Sequence, residues 1–194
     1  MRRAKLDEII DDKCLLKHPF YQAWNMGTLT VDNLGLYATQ YGEFIDQIAA
    51  GWEAVGDPAT AEEERDHARL WTDFASSLGV FRPAAARLPE IESLVSLSND
   101  LFTSKASALG ALYAFEQQQP GTADSKLAGL RKHYNIEPKG QVYFDIHKSD
   151  FAEPAWLAGQ IDTLTEAEYA QAEDACRRMS SALWSGLDGV MLAM

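Results

Sequence analysis

The sequence predicts an all-α fold, a single domain over residues 1–194 built as a bundle of about seven helices. Three observations predict it. Apolar residues recur at helical spacing along nearly the whole chain. No alternating strand pattern brackets a turn. Nearly half of the 194 residues are apolar, enough for a substantial core.

The elements follow in order. A first helix is expected from Lys5 to Lys17, with Leu6, Ile9, Ile10, Leu15 and Leu16 inward. His18-Pro19 interrupts it, because a residue before proline resists the α region. Phe20 to Trp24 then forms a short helical segment. Thr30 is a good N-cap for a helix through Leu34, Tyr37, Tyr41, Phe44 and Ile48 to Val55, ended by Gly56-Asp57-Pro58. The next helix spans Ala59 to Leu78, with Gly79 as its stop. Phe81 to Pro89 reads as a loop. A long helix covers Glu90 to Gln118, with a kink or boundary at Pro120. Ser125 to Tyr134 is helical, Asn135 to Gly140 turns, and Gln141 to Gly159 is helical with Pro154 awkwardly inside. Thr165 caps a final helix that ends near Leu192.

Charge narrows the function. A formal charge of −12 argues against nucleic acid or an anionic membrane as partner, since both require a basic face. Cys14 and Cys176 lack C-x-x-C spacing and read as thiols of a reducing compartment. The charged N-terminus and the lack of a membrane-length apolar run place the expectation in the cytoplasm. Glycine-rich phosphate loops, G-x-S-x-G elbows and H-E-x-x-H motifs are absent.

Two carboxylate–histidine clusters stand out. Glu63 and His67 are four apart, so they share a helix face, and Glu64 at three apart is nearly as well placed. His147, Asp150 and Glu153 follow at three-residue steps, about 60° apart around a helix, and converge only if that helix is distorted. Between the clusters lies Glu116, among Leu109, Leu112, Tyr113 and Phe115. A carboxylate in such company must be paired, protonated or metal-bound. Metal held between helices is one solution; an ion pair with Lys126, or a solvated rim, is the other.

Several segments together resemble a known family. Leu15-Leu16-Lys17-His18-Pro19-Phe20-Tyr21, Trp24, Gly27-Thr28-Leu29 and Tyr37-Ala38-Thr39-Gln40-Tyr41 are similar to the opening of the TenA, PqqC and CADD (chlamydial protein associating with death domains) proteins. His67-Ala68-Arg69-Leu70-Trp71, with Phe74 to Gly79, resembles their third helix. Tyr113-Ala114-Phe115-Glu116, Pro120, Lys126 and Tyr143-Phe144-Asp145-Ile146-His147 resemble the CADD-like branch in particular. The resemblance implies a haem-oxygenase-like bundle that holds one or two non-haem irons, with manganese as the alternative metal, and activates O2 on a small-molecule substrate. It implies metal ligation by His67, Glu116, His147 and Asp150. It also implies that Tyr21 and Lys126 occupy the two positions consumed in para-aminobenzoate formation, and that the protein is a homodimer.

The chain departs from the family pattern. The family's third-helix glutamate falls at Thr60 here, so Glu63 or Glu64 is expected to take its place, and Glu63 is preferred. One residue is missing between His147 and Asp150, and Glu153 stands where the family has a last histidine. A thiaminase of the TenA kind is disfavoured, because Gly110 lies nearest the position of its cysteine. A cofactor-free PqqC-like enzyme and a metal-free binding or partner-interaction protein stand as alternatives.

Overall fold

The computed structural model describes residues 2–81 and 87–194, so residues 82–86 of the expected loop lie outside the described residues. Among the described residues there are eleven α-helices and no strand. Helix α1 (Arg2–Asp12) buries Leu6, Ile9 and Ile10. A single 3-10 turn, Leu15–Lys17, leads to His18, whose Nδ1 accepts from the Phe20 amide and caps α2 (Pro19–Met26). Proline at the first helical position has no amide to leave unpaired there. Gly27 ends α2 at φ 68, where a side chain would also collide with His133.

Thr30 and Asn33 form a reciprocal capping box at the start of α3 (Val31–Ile45). The expected run to Val55 is divided at Asp46–Gln47, and α4 (Ile48–Val55) follows. Asp57 caps α5 (Pro58–Ser77), with Pro58 at the first position. The long helix expected from Glu90 to Gln118 is also two, α6 (Pro89–Leu101) and α7 (Lys105–Glu116), because Ser104 caps a new start. Helix α8 (Gln119–Gly129) runs into a π turn at Leu130–Tyr134, closed by Asn135 at φ 47.

The helix expected from Gln141 to Gly159 is divided as well. A 3-10 turn precedes α9 (Val142–His147), and α10 (Ala152–Asp162) begins after a break. Pro154 therefore stands in the first turn of α10, where its missing amide removes no helical bond. Thr165 and Glu168 form a second capping box at the start of α11 (Glu166–Leu192).

Helix α7 is the centre of the molecule. Residues 108–116 are buried without exception. It packs mainly on α11, with α4 and α10 on its other sides. At Gly110 an added Cβ would lie 1.9 Å from the Ala172 carbonyl oxygen of α11, so glycine sets how closely the two helices approach. No helix among the described residues is long and apolar enough to cross a membrane.

Candidate metal centre

The inward stripe of α5 runs Ala61, Glu64, Trp71, Phe74 and Ala75. It passes through Glu64 rather than Glu63. Glu64 is 3 % exposed, and its Oε1 accepts a 2.6 Å hydrogen bond from Nδ1 of His67 one turn on. Glu63, a third of a turn away, faces solvent. The expected pairing of Glu63 with His67 is therefore not what the structure shows.

Helix α9 brings His147 to the same point. Its Nδ1–H donates to the Tyr143 carbonyl at 2.6 Å, which fixes the tautomer and leaves the Nε2 lone pair facing Glu64 Oε1 at 4.0 Å. The His67 and His147 ring centroids lie 4.5 Å apart. One ligand atom from each of Glu64, His67 and His147 lies within 4.8 Å of the others.

Glu116 and Glu153 complete the electrostatics. Burial pushes the Glu116 carboxyl well above the usual range, and the charges of Glu153, Glu64 and Asp150 push further. Glu153 is raised to about 8, by burial first and then by Glu64 and Asp150. Burial opposes the charge on His67, but the Glu64 hydrogen bond and nearby carboxylates win, and its pKa is raised. Burial dominates at His147 and lowers its pKa, so this ring is neutral. Asp150 is half-buried at the break between α9 and α10, where one carboxylate oxygen accepts from the Ala152 amide.

These residues fit a metal. Oε1 of Glu116 is fully buried and makes no hydrogen bond of good geometry among the described residues. Carboxylates from α5, α7 and α10 face one another, and none of them forms a salt bridge with a lysine or arginine among the described residues. Glu116 and His147 are also the last residues of their helices, where the helix dipole favours a cation. A hard, oxygen-rich donor set with two imidazoles suits iron or manganese.

A second polar group lies nearby in a nest of aromatic rings. Tyr143 packs on His147 at 4.2 Å between ring centroids, and Trp71 packs on Tyr143 at 4.9 Å. Beyond Trp71 is the Lys126 amine, 3 % exposed, donating to the Tyr37 hydroxyl at 3.0 Å. The amine lies 4.8 Å from the centre of the Tyr21 ring. The Tyr21 and Tyr37 hydroxyls are 3.3 Å apart. Burial alone lowers Lys126 to about 7. It forms no salt bridge among the described residues, so it does not pair with Glu116 as one reading of the sequence allowed. Sequence reasoning did not single out Tyr37, which holds the amine, or Trp71, which separates it from the histidines. Their spacing marks them only as core.

Comparison with known proteins identifies the family. The iron-containing redox enzyme family matches residues 48–184. A 4-aminobenzoate synthase of Nitrosomonas europaea is 31 % identical over 97 % of this chain and 90 % of its own length. A TenA homologue from Pseudomonas syringae superposes with a TM-score of 0.80 at 16 % identity, covering 99 % of this chain and 93 % of its own. A CADD-like protein from Nostoc punctiforme gives 0.64 at 18 % identity, with 98 % of each chain covered. A domain from Shewanella denitrificans with a haem-oxygenase-like fold superposes with a TM-score of 0.79 at 17 % identity, covering 98 % of this chain and 90 % of its own, and establishes that fold here. With the family match over most of its length, the chain belongs to the iron-containing redox enzymes, whose cofactor is iron.

Proposed function

We propose that this protein is an iron-dependent oxygenase that forms 4-aminobenzoate from two of its own side chains, Tyr21 and Lys126. One observation carries the reading: a buried amine with no acidic partner among the described residues rests 4.8 Å from the centre of a buried tyrosine ring. Such an amine is expensive to maintain as packing alone. The 4-aminobenzoate synthase relative supports the same product.

Glu64, His67, Glu116, His147, Asp150 and Glu153 would hold the metal, with Glu64 in the place expected of Glu63. Bound iron supplies the oxidising power by activating O2. The chain's own residues do the rest. Tyr37 holds the Lys126 nitrogen beside the ring it is to join. With its pKa near 7, a large share of that amine is neutral at neutral pH and has a free lone pair. The rings of Trp71 and Phe144, also against the amine, keep water away. Tyr21 supplies the aromatic ring and Lys126 the amino nitrogen. The unbridged Cys14 and Cys176 support a reducing, cytoplasmic setting. In this reading the protein is also a homodimer, as the family resemblance implies, and its mass in solution tests that.

The test is isotopic. Protein made with ring-labelled tyrosine, loaded with ferrous iron and exposed to O2, should release labelled 4-aminobenzoate and lose the corresponding mass. Tyr21→Phe and Lys126→Ala should retain iron but release no product, whereas Glu116→Ala should lose both. Growth of a 4-aminobenzoate auxotroph on the Tyr21→Phe and Lys126→Ala variants, equal to that on the parent, would exclude the self-consuming reaction.

A further inference from the structure

A cleft of about 260 Å³ opens beside the metal cluster. Asp57, Glu63, Asp150 and Glu153 line it together with Trp52 and Trp156, and no lysine, arginine or histidine does. Glu153 belongs to both the cleft wall and the inner cluster, since it acts electrostatically on Glu116 and on His67. The cleft therefore reaches the outer edge of the donor cluster at Asp150 and Glu153.

Glu63 is the acid of α5 that both lacks a partner and lines the cleft among the described residues; Asp73 also lacks a partner but is not part of the cleft wall. Glu62 pairs with Arg65, Asp66 pairs with Arg69, and Glu64 bonds to His67. Glu63 has no ion pair or hydrogen bond among the described residues and lines the cleft. The inner end is marked by Trp52 in the wall, whose buried indole Nε1 approaches the Glu116 carboxyl, and neither Nε1 nor Glu116 Oε1 makes a hydrogen bond of good geometry among the described residues. Opposite the acids, the Trp52 and Trp156 rings pack 5.5 Å apart and form an apolar wall. Acids of one sign facing a low-dielectric wall concentrate field lines and raise the local concentration of cations.

We propose that this cleft is the port through which a divalent cation reaches the centre, and that Glu63 is its receiving carboxylate. The inference rests on the reading of the inner cluster as a metal site. Glu63 is then a transient stop rather than a resident ligand. The cation passes from it to Asp150 and Glu153 at the helix break, and then to Glu116, Glu64 and the histidines.

Anaerobic uptake of ferrous ion by the metal-free full chain tests this, followed as loss of chelatable iron over time and as iron per chain at the end. Glu63→Gln should load several-fold more slowly at low salt, on the order of 3–10-fold for a focused field. It should reach the same final iron content, and the difference from the parent should shrink at high salt. Glu62→Gln, whose partner Arg65 lies outside the cleft, should load like the parent. Uptake by Glu63→Gln at the parental rate would overturn the port while leaving the centre intact. A lower final iron content in that variant would make Glu63 a resident ligand and also overturn it. A parent that takes up no iron would remove the metal centre itself, and the port with it.

Discussion

Lys126 is the residue whose chemistry is most at odds with its surroundings. Its pKa falls from 10.5 to about 7, so the amine is charged below that value and stays buried among rings. A base with a lowered folded pKa destabilises the native state below that pKa, and the penalty fades as pH rises toward the unfolded value. Lys126→Met should therefore stabilise the protein by roughly 2–4 kcal/mol below about pH 7, with a smaller gain at higher pH. The same variant should make no 4-aminobenzoate. Thermal unfolding across pH, alongside product assay, checks both; an unchanged or lowered melting temperature would contradict the argument. The choice between Glu63 and Glu64 is also a residue-scale matter. Spacing to His67 permits either. The signal that separates them was present in the sequence, because the stripe Ala61, Trp71 and Ala75 extends through Glu64. Reading the carboxylate within its own helix face, instead of only against the histidine, would have found it.

At the scale of elements, the breaks between helices form the site. A continuous helix over Gln141 to Gly159 would spread His147, Asp150 and Glu153 over about 120°. The turn from Lys148 to Phe151 instead lets α9 deliver His147 while α10 starts afresh with Glu153 in its first turn. Periodicity located most helical runs but missed this division, as it missed Asp46–Gln47, the Ser104 start, the end of α1 at Asp12 and the start of α8 at Gln119. Short polar interruptions leave apolar spacing nearly intact on both sides, and only the packed partners decide that the chain bends there. Pro154 was the visible clue, and it marks a beginning rather than a kink. Packing of α7 on α11 gives the sharpest test at this scale. Gly110→Ala places a methyl against the Ala172 carbonyl and should cost about 2–3 kcal/mol. Because α7 ends in Glu116, the shift should also lower iron content. A Gly110→Ala protein with parental melting temperature and full iron would show that the two helices do not meet as described.

For the molecule as a whole, the metal and the fold are thermodynamically linked. Glu153 ionises near 4.5 in an unfolded chain and near 8 in the metal-free fold, and Glu116 is shifted the same way. Between those values the native state holds more protons, so stability falls as pH rises. Metal-free protein should thus lose thermal stability from about pH 5 to 7, before the opposing contribution of Lys126 begins. Bound iron keeps the carboxylates ionised, so loading should release protons, strengthen with pH and flatten that decline. Melting curves with and without iron at several pH values would show it, and parallel curves would refute it. Fold class and family were legible from the whole chain because helical periodicity and segment order survive local change. The ring of Tyr21 has one more implication. It is fully enclosed, against Phe20, Tyr37 and the Lys126 amine. On the proposed self-consuming reaction, a chain that surrenders this ring would keep a void there, and losing a large buried aromatic costs about 3–5 kcal/mol, against a total stability of roughly 5–15 kcal/mol. Spent molecules open more often, and cellular proteases that attack opened chains remove them ahead of unreacted ones. On that reaction the polypeptide's lifespan would depend on whether it has reacted, and product supply would follow the rate of protein synthesis.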